Sequence, residues 1–255
     1  MLASTDEGSA SQRPDAASRG WCVSIVRAWP DLPNTRLLAD VSLWSANLTN
    51  LAAGIQSLDR YADSYHLDVS DAHFAPSLLF FPDLVRALRP LTNRPFHVHL
   101  MVERPTSLIP EFLASGADVV TVHAEVGRSE AEAAIEAILR GGCSAGLALR
   151  LDTPLAESEP FLERIDSLLL LGTELGVKSQ DLAPEACARL ETAGSMFGAR
   201  RSAVRLISDG GVRSHTVPDL RSAGADVVVP GSLVFHAESG GNFQVVAFTL
   251  AWNYR

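Results

Sequence analysis

Short apolar segments alternate with amphipathic segments along most of the chain, from Leu37 onward. Because the apolar segments show no polar alternation, they predict strands of a parallel sheet that is buried on both faces. The predicted strands lie near 38–44, 64–69, 96–101, 118–123, 145–150, 167–171, 203–208 and 226–230. Seven segments with helical spacing, such as 129–140 and 184–192, separate them, and an eighth follows Ser232.

An internal repeat points to one arrangement of these elements. The pentapeptide GADVV occurs at 116–120 and again at 224–228, four strand–helix units later, just before the fourth and eighth strands. In each copy the glycine is suited to end a helix and the valines to begin a strand. Repetition at this offset favours an α/β fold of the (β/α)8 TIM-barrel type. An open, doubly wound sheet is the alternative.

The chain divides into three parts. Its 255 residues, 47% apolar and 20% charged, suit one large domain, which we place at 36–240. Residues 1–35 begin with a polar stretch that lacks the apolar core of a secretion signal, which predicts a disordered or loosely packed leader. Within it, 21–29 is more apolar and is the part able to pack on the domain. The tail 241–255 is predicted to pack on the barrel or on a partner subunit.

Charge and cysteine content restrict the partners. A net charge of −9 disfavours nucleic acid as a partner, and no apolar segment approaches the roughly 20 residues needed to span a membrane. Cys22, Cys143 and Cys187 are scattered and predict no disulfide framework, which favours a reducing compartment. We therefore expect a cytoplasmic enzyme that acts on a small molecule.

Polar side chains lie near the carboxyl ends of three predicted strands. Residues two apart on a strand share a face, so His66 projects with Asp68 and His97 with His99; Asp209 ends a third strand. Active sites of such barrels lie at this end. A buried histidine more often only ties core layers together, which is the reading we favour for His97. For the other four residues, the shared rim favours a metal site of zinc, manganese, iron or cobalt. The two acids can also form an acid/base pair.

Five segments, in order between Leu38 and Phe235, resemble motifs of the ribulose-phosphate 3-epimerase family. They are VSLWSAN at 41–47 (family P-S-[IL]-L-S-A-D), HLDVSDAHFAP at 66–76 (H-[IVF]-D-V-M-D-G-H-F-V-P), HVHLM at 97–101 (D-V-H-L-M), SDGGV at 208–212 (V-D-G-G-V) and PGSLVF at 230–235 (A-G-S-A-[IV]-F). The second motif alone is highly specific.

The resemblance implies an activity and a set of site residues. It implies conversion of D-ribulose 5-phosphate to D-xylulose 5-phosphate, a step of the pentose phosphate pathway, by a homo-oligomer (dimer or hexamer). One divalent metal ion per chain is implied at His66, Asp68, His99 and Asp209. The implied substrate-binding residues are Met101, Gly176, Gly210, Gly211, Gly231 and Ser232, the glycine turns holding the phosphate through backbone amides. Two further candidates rest on their own chemistry. The hydroxyl of Ser45 can orient a substrate oxygen or cap a helix, and Lys178 can reach a phosphate or stay in solvent.

The chemistry of epimerisation explains why two acids are needed. Inverting a carbon beside a ketone removes a proton from one face and returns a proton to the other. A single base cannot reach both faces, so one ionised and one protonated carboxylic group must flank the carbon. We assign these roles to Asp68 and Asp209, and a metal ion beside the carbonyl would stabilise the enediolate.

Three departures from the family pattern leave the identity of the sugar substrate undecided. The strand-six loop, family V-N-P-G-F-G-G-Q-S-F, reads TELGVKSQDL at 173–182 and gains Lys178. Ser70 replaces a methionine, which predicts a smaller and more polar pocket wall. Arg150 replaces an asparagine at a strand end, where it can bind an anionic group of the substrate or pair with Glu174 or Asp152. The alternatives are an epimerase of a hexulose phosphate or an acidic sugar, and a catalytically silent metal-binding barrel. An orotidine-phosphate-type decarboxylase is disfavoured, because its D-x-K-x-x-D lysine is missing at 66–71.

Overall fold

The computed structural model describes residues 29–235; the predicted leader up to residue 28 and the predicted tail 241–255 lie outside the described residues. Eight parallel strands follow one another around a closed barrel, and β8 pairs with β1. They are β1 (Leu38–Ser42), β2 (Ser64–Ser70), β3 (Phe96–Met101), β4 (Val119–His123), β5 (Ser144–Leu149), β6 (Ser167–Leu171), β7 (Arg205–Asp209) and β8 (Val227–Val229). The TIM-barrel prediction is confirmed, and the open-sheet alternative is wrong.

Helices connect most of the strands. In the described residues they are α1 (Leu51–Leu58), α2 (Pro82–Leu88), α3 (Pro105–Ala114), α4 (Arg128–Arg140), α5 (Ala186–Met196), α6 (Val217–Ser222) and α7 (Ser232–Phe235). The predicted helical segments 129–140 and 184–192 correspond to α4 and α5. No helix in this part of the chain has the length and apolar character needed to cross a membrane.

The connection between β5 and β6 differs from the prediction. A 3₁₀ helix, Leu155–Phe161, replaces the expected α-helix. Pro154 precedes it and Pro160 lies inside it, and a proline inside a helix removes a backbone donor and clashes with the preceding turn. The hydroxyl of Ser158 donates to the carbonyl of Leu155, which closes the tight turn. The spacing of leucine and glutamate residues therefore predicts an α-helix here, where only a shorter 3₁₀ helix forms.

Two apolar cores support the barrel. The larger core lies between the outward strand faces and the helices. The smaller one fills the barrel interior and includes Leu38, Val119 and Ile207. Trp29 belongs to this inner core, with its ring edge-on to His97 at a centroid distance of 5.4 Å.

The side chain of Arg205 fastens the segment that carries Trp29, donating to the backbone carbonyl of Leu32 at 2.5 Å. The segment belongs to the amino-terminal side of the barrel, where β7 begins at Arg205. The amino-terminal end of the barrel is therefore packed, and the polar interior faces the opposite end.

Helix α4 allows a matched test of the outer core. Ile135 is fully buried, whereas Leu139, one turn later, is 39% exposed. Ile135→Ala should lower the free energy of unfolding by about 2–5 kcal/mol, because it leaves a cavity in packed surroundings. Leu139→Ala should lower it by about 1 kcal/mol or less. Chemical denaturation of both variants measures the difference, and equal losses would contradict the packing described.

Candidate active site

A pocket opens at the carboxyl ends of the strands. Its lining includes every residue predicted to bind substrate and both predicted acids: Ser45, Asp68, Met101, Gly176, Lys178, Asp209, Gly210, Gly211, Gly231 and Ser232. His66 and His99 are fully buried and contact the acids on its floor. The structure thus brings the predicted residues together at the end of the barrel where active sites form.

Four side chains converge on one point at the pocket floor. The Nε2 atom of His66 lies 3.2 Å from Asp68 Oδ1 and 3.9 Å from Asp209 Oδ2. The Nδ1 atom of His99 lies 3.5 Å and 3.8 Å from the same two oxygens, and 3.3 Å from His66 Nε2. One potential ligand atom from each residue lies within 4.8 Å of the ligand atoms of the other three. The geometry is that of a mixed N/O ligand set.

Hydrogen bonds on the far side of each ring decide which nitrogen faces the cluster. The Nδ1 atom of His66 lies 2.8 Å from Asp40 Oδ2. An ionised carboxylate can only accept, so Nδ1 carries the proton and Nε2 faces Asp68 and Asp209.

A chain of hydrogen bonds from Glu125 through His123 orients His99, which faces the cluster with Nδ1 rather than Nε2. The Nδ1–H group of His123 donates to Glu125 Oε2 at 2.9 Å. Burial lowers the pKa of His123 to about 4, so the ring is neutral and its Nε2 accepts. The Nε2 atom of His99, 2.9 Å away, must therefore be the donor. In the neutral form of His99, Nδ1 is then the acceptor nitrogen that faces the cluster.

The cluster attracts positive charge. Burial by itself would lower the pKa of His66, but the charges of Asp68 and Asp40 outweigh it and raise that pKa well above its ordinary value. The negative groups therefore favour a proton or a metal ion at His66 Nε2. Two imidazole nitrogens and two carboxylate oxygens suit a divalent transition metal, so the residues present fit the predicted ion.

The two acids have opposite tendencies. Burial of Asp68 is outweighed by His66 and His99, which hold its pKa well below the usual range. Burial, together with the nearby charge of Asp68, raises the pKa of Asp209 to about 6 despite the two histidines. One acid is thus ionised while the other is readily protonated.

The turns after β7 and β8 present free amides to the pocket. Within the described residues, the amides of Gly211, Gly231 and Ser232 have no protein acceptor. Gly211 has a φ of +68°, and a Cβ there would lie 2.5 Å from Leu182 Cα. A Cβ at Gly231 would lie 2.4 Å from the hydroxyl of Ser45. Side chains are thus excluded, and the backbone donors stay accessible to an anion.

Comparison with known proteins now assigns the family. A sequence model of the ribulose-phosphate 3-epimerase family matches residues 38–235. The chain belongs to this family. A ribulose-phosphate 3-epimerase of Treponema pallidum is 35% identical over 76% of this chain and 89% of its own length. That of Bacillus subtilis is 34% identical over 76% and 90%. Family membership makes this chain a carbohydrate epimerase.

Solved structures agree on the fold. The 3-hexulose-6-phosphate synthase of Salmonella typhimurium superposes with a TM-score of 0.67 at 17% identity, over 86% of this chain and all of that chain. Orotidine 5'-phosphate decarboxylase from Pyrococcus horikoshii superposes with a TM-score of 0.61 at 15% identity, over 86% and 99%. At these identities the likeness shows the barrel and nothing about the reaction.

The strand-six loop lines one side of the pocket. The Nζ atom of Lys178 donates to the carbonyl of Trp44 at 2.7 Å and lies 4.6 Å from the centre of that ring. The side-chain amide of Gln180 donates to the carbonyls of Glu174 and Val177. The loop is thus held by its own polar contacts and carries one cation to the pocket rim.

The other two departures lie beside the pocket rather than in its lining. The hydroxyl of Ser70 donates to the carbonyl of Ser77 at 2.6 Å, so this replacement does not form the polar pocket wall that the motif comparison suggests. Arg150 donates to the carbonyl of Phe74 at 2.8 Å, and its guanidinium lies 4.3 Å from the centre of that ring. Arg150 therefore braces the loop after β2.

Sequence reasoning missed the groups behind the ligands. The hydroxyl of Ser42 donates to Asp68 Oδ2 at 2.8 Å, and Asp40 and Glu125 accept from the histidines. One signal was available: Asp40 and Ser42 alternate within an otherwise apolar strand, which puts both on one face. Glu125 has a weaker signal, because it follows its strand in a short 3₁₀ turn.

The ligand cluster predicts metal binding. Purified protein should carry about one divalent transition-metal ion per chain. His99→Ala should lose that ion, because it removes one of four ligands, whereas His73→Ala should keep it, because His73 is exposed and outside the cluster. Elemental analysis of the three proteins after dialysis measures this. Equal metal contents in the wild type and His99→Ala would rule out the assigned ligand set.

Proposed function

We propose that this enzyme interconverts D-ribulose 5-phosphate and D-xylulose 5-phosphate by proton transfer at C3. The observation that carries the proposal is the pair of acids on one pocket floor: Asp68, held ionised, and Asp209, with a pKa of about 6. Membership of the family and relatives named ribulose-phosphate 3-epimerase support the substrate assignment.

The two carboxylates come from well-separated strands. Asp68 lies on β2 and Asp209 ends β7, with β1 and β8 between them. A carbon bound between them would have one acid on each face. In the starting state the ionised Asp68 takes the C3 proton and the protonated Asp209 supplies one to the opposite face; the roles exchange in the reverse direction.

The surrounding residues keep these groups in place. His66, Asp68, His99 and Asp209 would hold a divalent ion, which would stabilise the negative charge that develops on the carbonyl oxygen. The hydroxyl of Ser42 fixes one oxygen of Asp68. Ser45 lines the pocket beside Gly231, where its hydroxyl can orient a substrate oxygen.

The phosphate is assigned to the turns after β7 and β8. Free amides at Gly211, Gly231 and Ser232 offer several donors without a side-chain charge, a common way to hold a phosphate. Lys178 lies on the same pocket and can add a point charge after leaving the Trp44 carbonyl. This cation is the feature that favours the alternative substrate, a hexulose phosphate or an acidic sugar. A homo-oligomer and a cytoplasmic location remain predictions from the sequence.

The substrate assignment predicts a preference for phosphorylated pentuloses. The kcat/KM for D-ribulose 5-phosphate should exceed that for D-ribulose by about 100-fold or more, because the free amides then find an acceptor. Hexulose 6-phosphates should react more slowly. Deuterium incorporation from D2O at the carbon beside the ketone, followed by NMR, compares all three. Faster reaction of the hexulose phosphates would replace the pentose assignment, and no exchange with any sugar would favour a silent barrel.

The two-acid assignment predicts the behaviour of Asp209→Asn. Net epimerisation should fall by about 10²–10⁴-fold, because one face loses its proton carrier. Exchange on the face served by Asp68 can persist. Since Asp209 is also a predicted ligand, the rate must be expressed per metal-loaded chain.

Asp181→Asn is the matched control for this variant. Asp181 is an exposed acid in the strand-six loop, close to the pocket but outside the ligand cluster. This variant should epimerise at the wild-type rate. A metal-loaded Asp209→Asn enzyme that also does so would exclude the two-acid mechanism.

A further inference from the structure

A carboxylate lies in the barrel interior directly beneath the ligand cluster. Asp40 on β1 is completely buried. Its Oδ2 atom lies 2.8 Å from His66 Nδ1 and 2.6 Å from His97 Nδ1, and its Oδ1 accepts from the hydroxyl of Ser64 at 2.6 Å. Asp40 touches neither the pocket nor the point on which the four ligands converge.

We propose that Asp40 is the positioning residue of the metal site, acting entirely through His66. By accepting the Nδ1–H bond, it fixes the ring orientation and leaves Nε2 as the ligand atom. A negative partner behind the ring also makes the facing nitrogen a better ligand. The proposal rests on the metal site proposed above and adds a residue that does not itself bind the ion.

His97 and its neighbours hold this carboxylate in one orientation. An ionised carboxylate can only accept, so His97 Nδ1 donates to Asp40, and His97 Nε2 lies 2.7 Å from the hydroxyl oxygen of Thr121. The ring of Trp29 packs edge-on against His97. Asp40 therefore cannot turn away from His66 without breaking a chain of buried contacts.

Packing alone does not explain an acid at this position. Leu38, on the same face of β1, belongs to the apolar inner core, and an apolar residue would continue that core. Burying an ionised carboxylate is costly, and apolar replacements of buried ionic groups are often neutral or stabilising. Asp40, His66 and His97 also form a close group of potential ligands. Short hydrogen bonds to one shared oxygen already occupy their facing atoms, so we assign that group to positioning rather than to a second metal ion.

Asp40→Asn tests the proposal because it keeps the shape and removes the charge. It should weaken zinc binding by about 10–100-fold, the usual effect of losing such an outer partner. Asp63→Asn is the matched control: Asp63 is also a buried acid near β1, but it accepts from Arg36 and from the amide of Ala39, away from the histidines. It should bind zinc within about 3-fold of the wild type, whatever its effect on stability.

Competition titration with a zinc chelator measures the affinities, and circular dichroism establishes that each variant is folded. His99→Ala serves as the reference. If His99→Ala binds zinc as tightly as the wild type, the metal site itself is misassigned. If His99→Ala loses zinc while Asp40→Asn binds like Asp63→Asn, the metal site stands and the role of Asp40 is wrong.

A measurement on the intact protein covers the case in which Asp40→Asn does not fold. In the zinc-loaded wild type, long-range ¹H–¹⁵N NMR of the histidine rings should find the proton of His66 on Nδ1 and that of His99 on Nε2. Opposite tautomers at the two rings are expected only if their outer partners decide which nitrogen faces the ion. A His66 ring with its proton on Nε2 would overturn the proposal.

Discussion

The in-register pairing of β2 with β3 is the constraint on which the site depends. His66 pairs with His97, and Asp68 pairs with His99. Because residues two apart share a face, this register stacks two polar layers inside the barrel, one at the pocket floor and one beneath it. Asp40 joins the lower layer from β1 and Asp209 the upper layer from β7. A slip of one residue would turn a whole set of ligands outward, so the site and the fold specify each other.

The barrel could be predicted because strands that are buried on both faces are continuous apolar segments in the sequence. Eight apolar segments and the repeated GADVV pentapeptide led to the closed sheet, and each observed strand falls within about two residues of its predicted bounds. The link between β5 and β6 could not be predicted in the same way. The segment Leu155–Phe161 forms a tighter 3₁₀ helix, with one proline before it and one inside it, and a proline disfavours an α-helix without excluding it.

The candidate site could be predicted in its four ligands but not in the groups behind them. Asp209 ends β7, and Asp68 and His99 lie near the carboxyl ends of β2 and β3, where topology alone brings side chains together. His66 lies one layer lower and points its Nε2 atom up to Asp68. The lower layer and the relay through Glu125 depend on which ring atom meets which oxygen, and that follows from cross-strand register rather than from spacing along the chain. Arg150 shows the same limit: its position at a strand end suggested an anion site, yet its guanidinium turns to Phe74.

The proton-transfer groups lie on strands, whereas the groups that would select the sugar phosphate lie in loops. The acids and histidines stand on strands whose buried hydrogen bonds leave them little freedom. The groups that would meet the phosphate end of a substrate are the turns after β7 and β8 and the strand-six loop, in which Lys178 contacts the carbonyl and the ring of Trp44. Loops tolerate change better than packed strands. Changes in 173–182 can therefore alter which sugar phosphate fits while the proton-transfer groups keep their geometry.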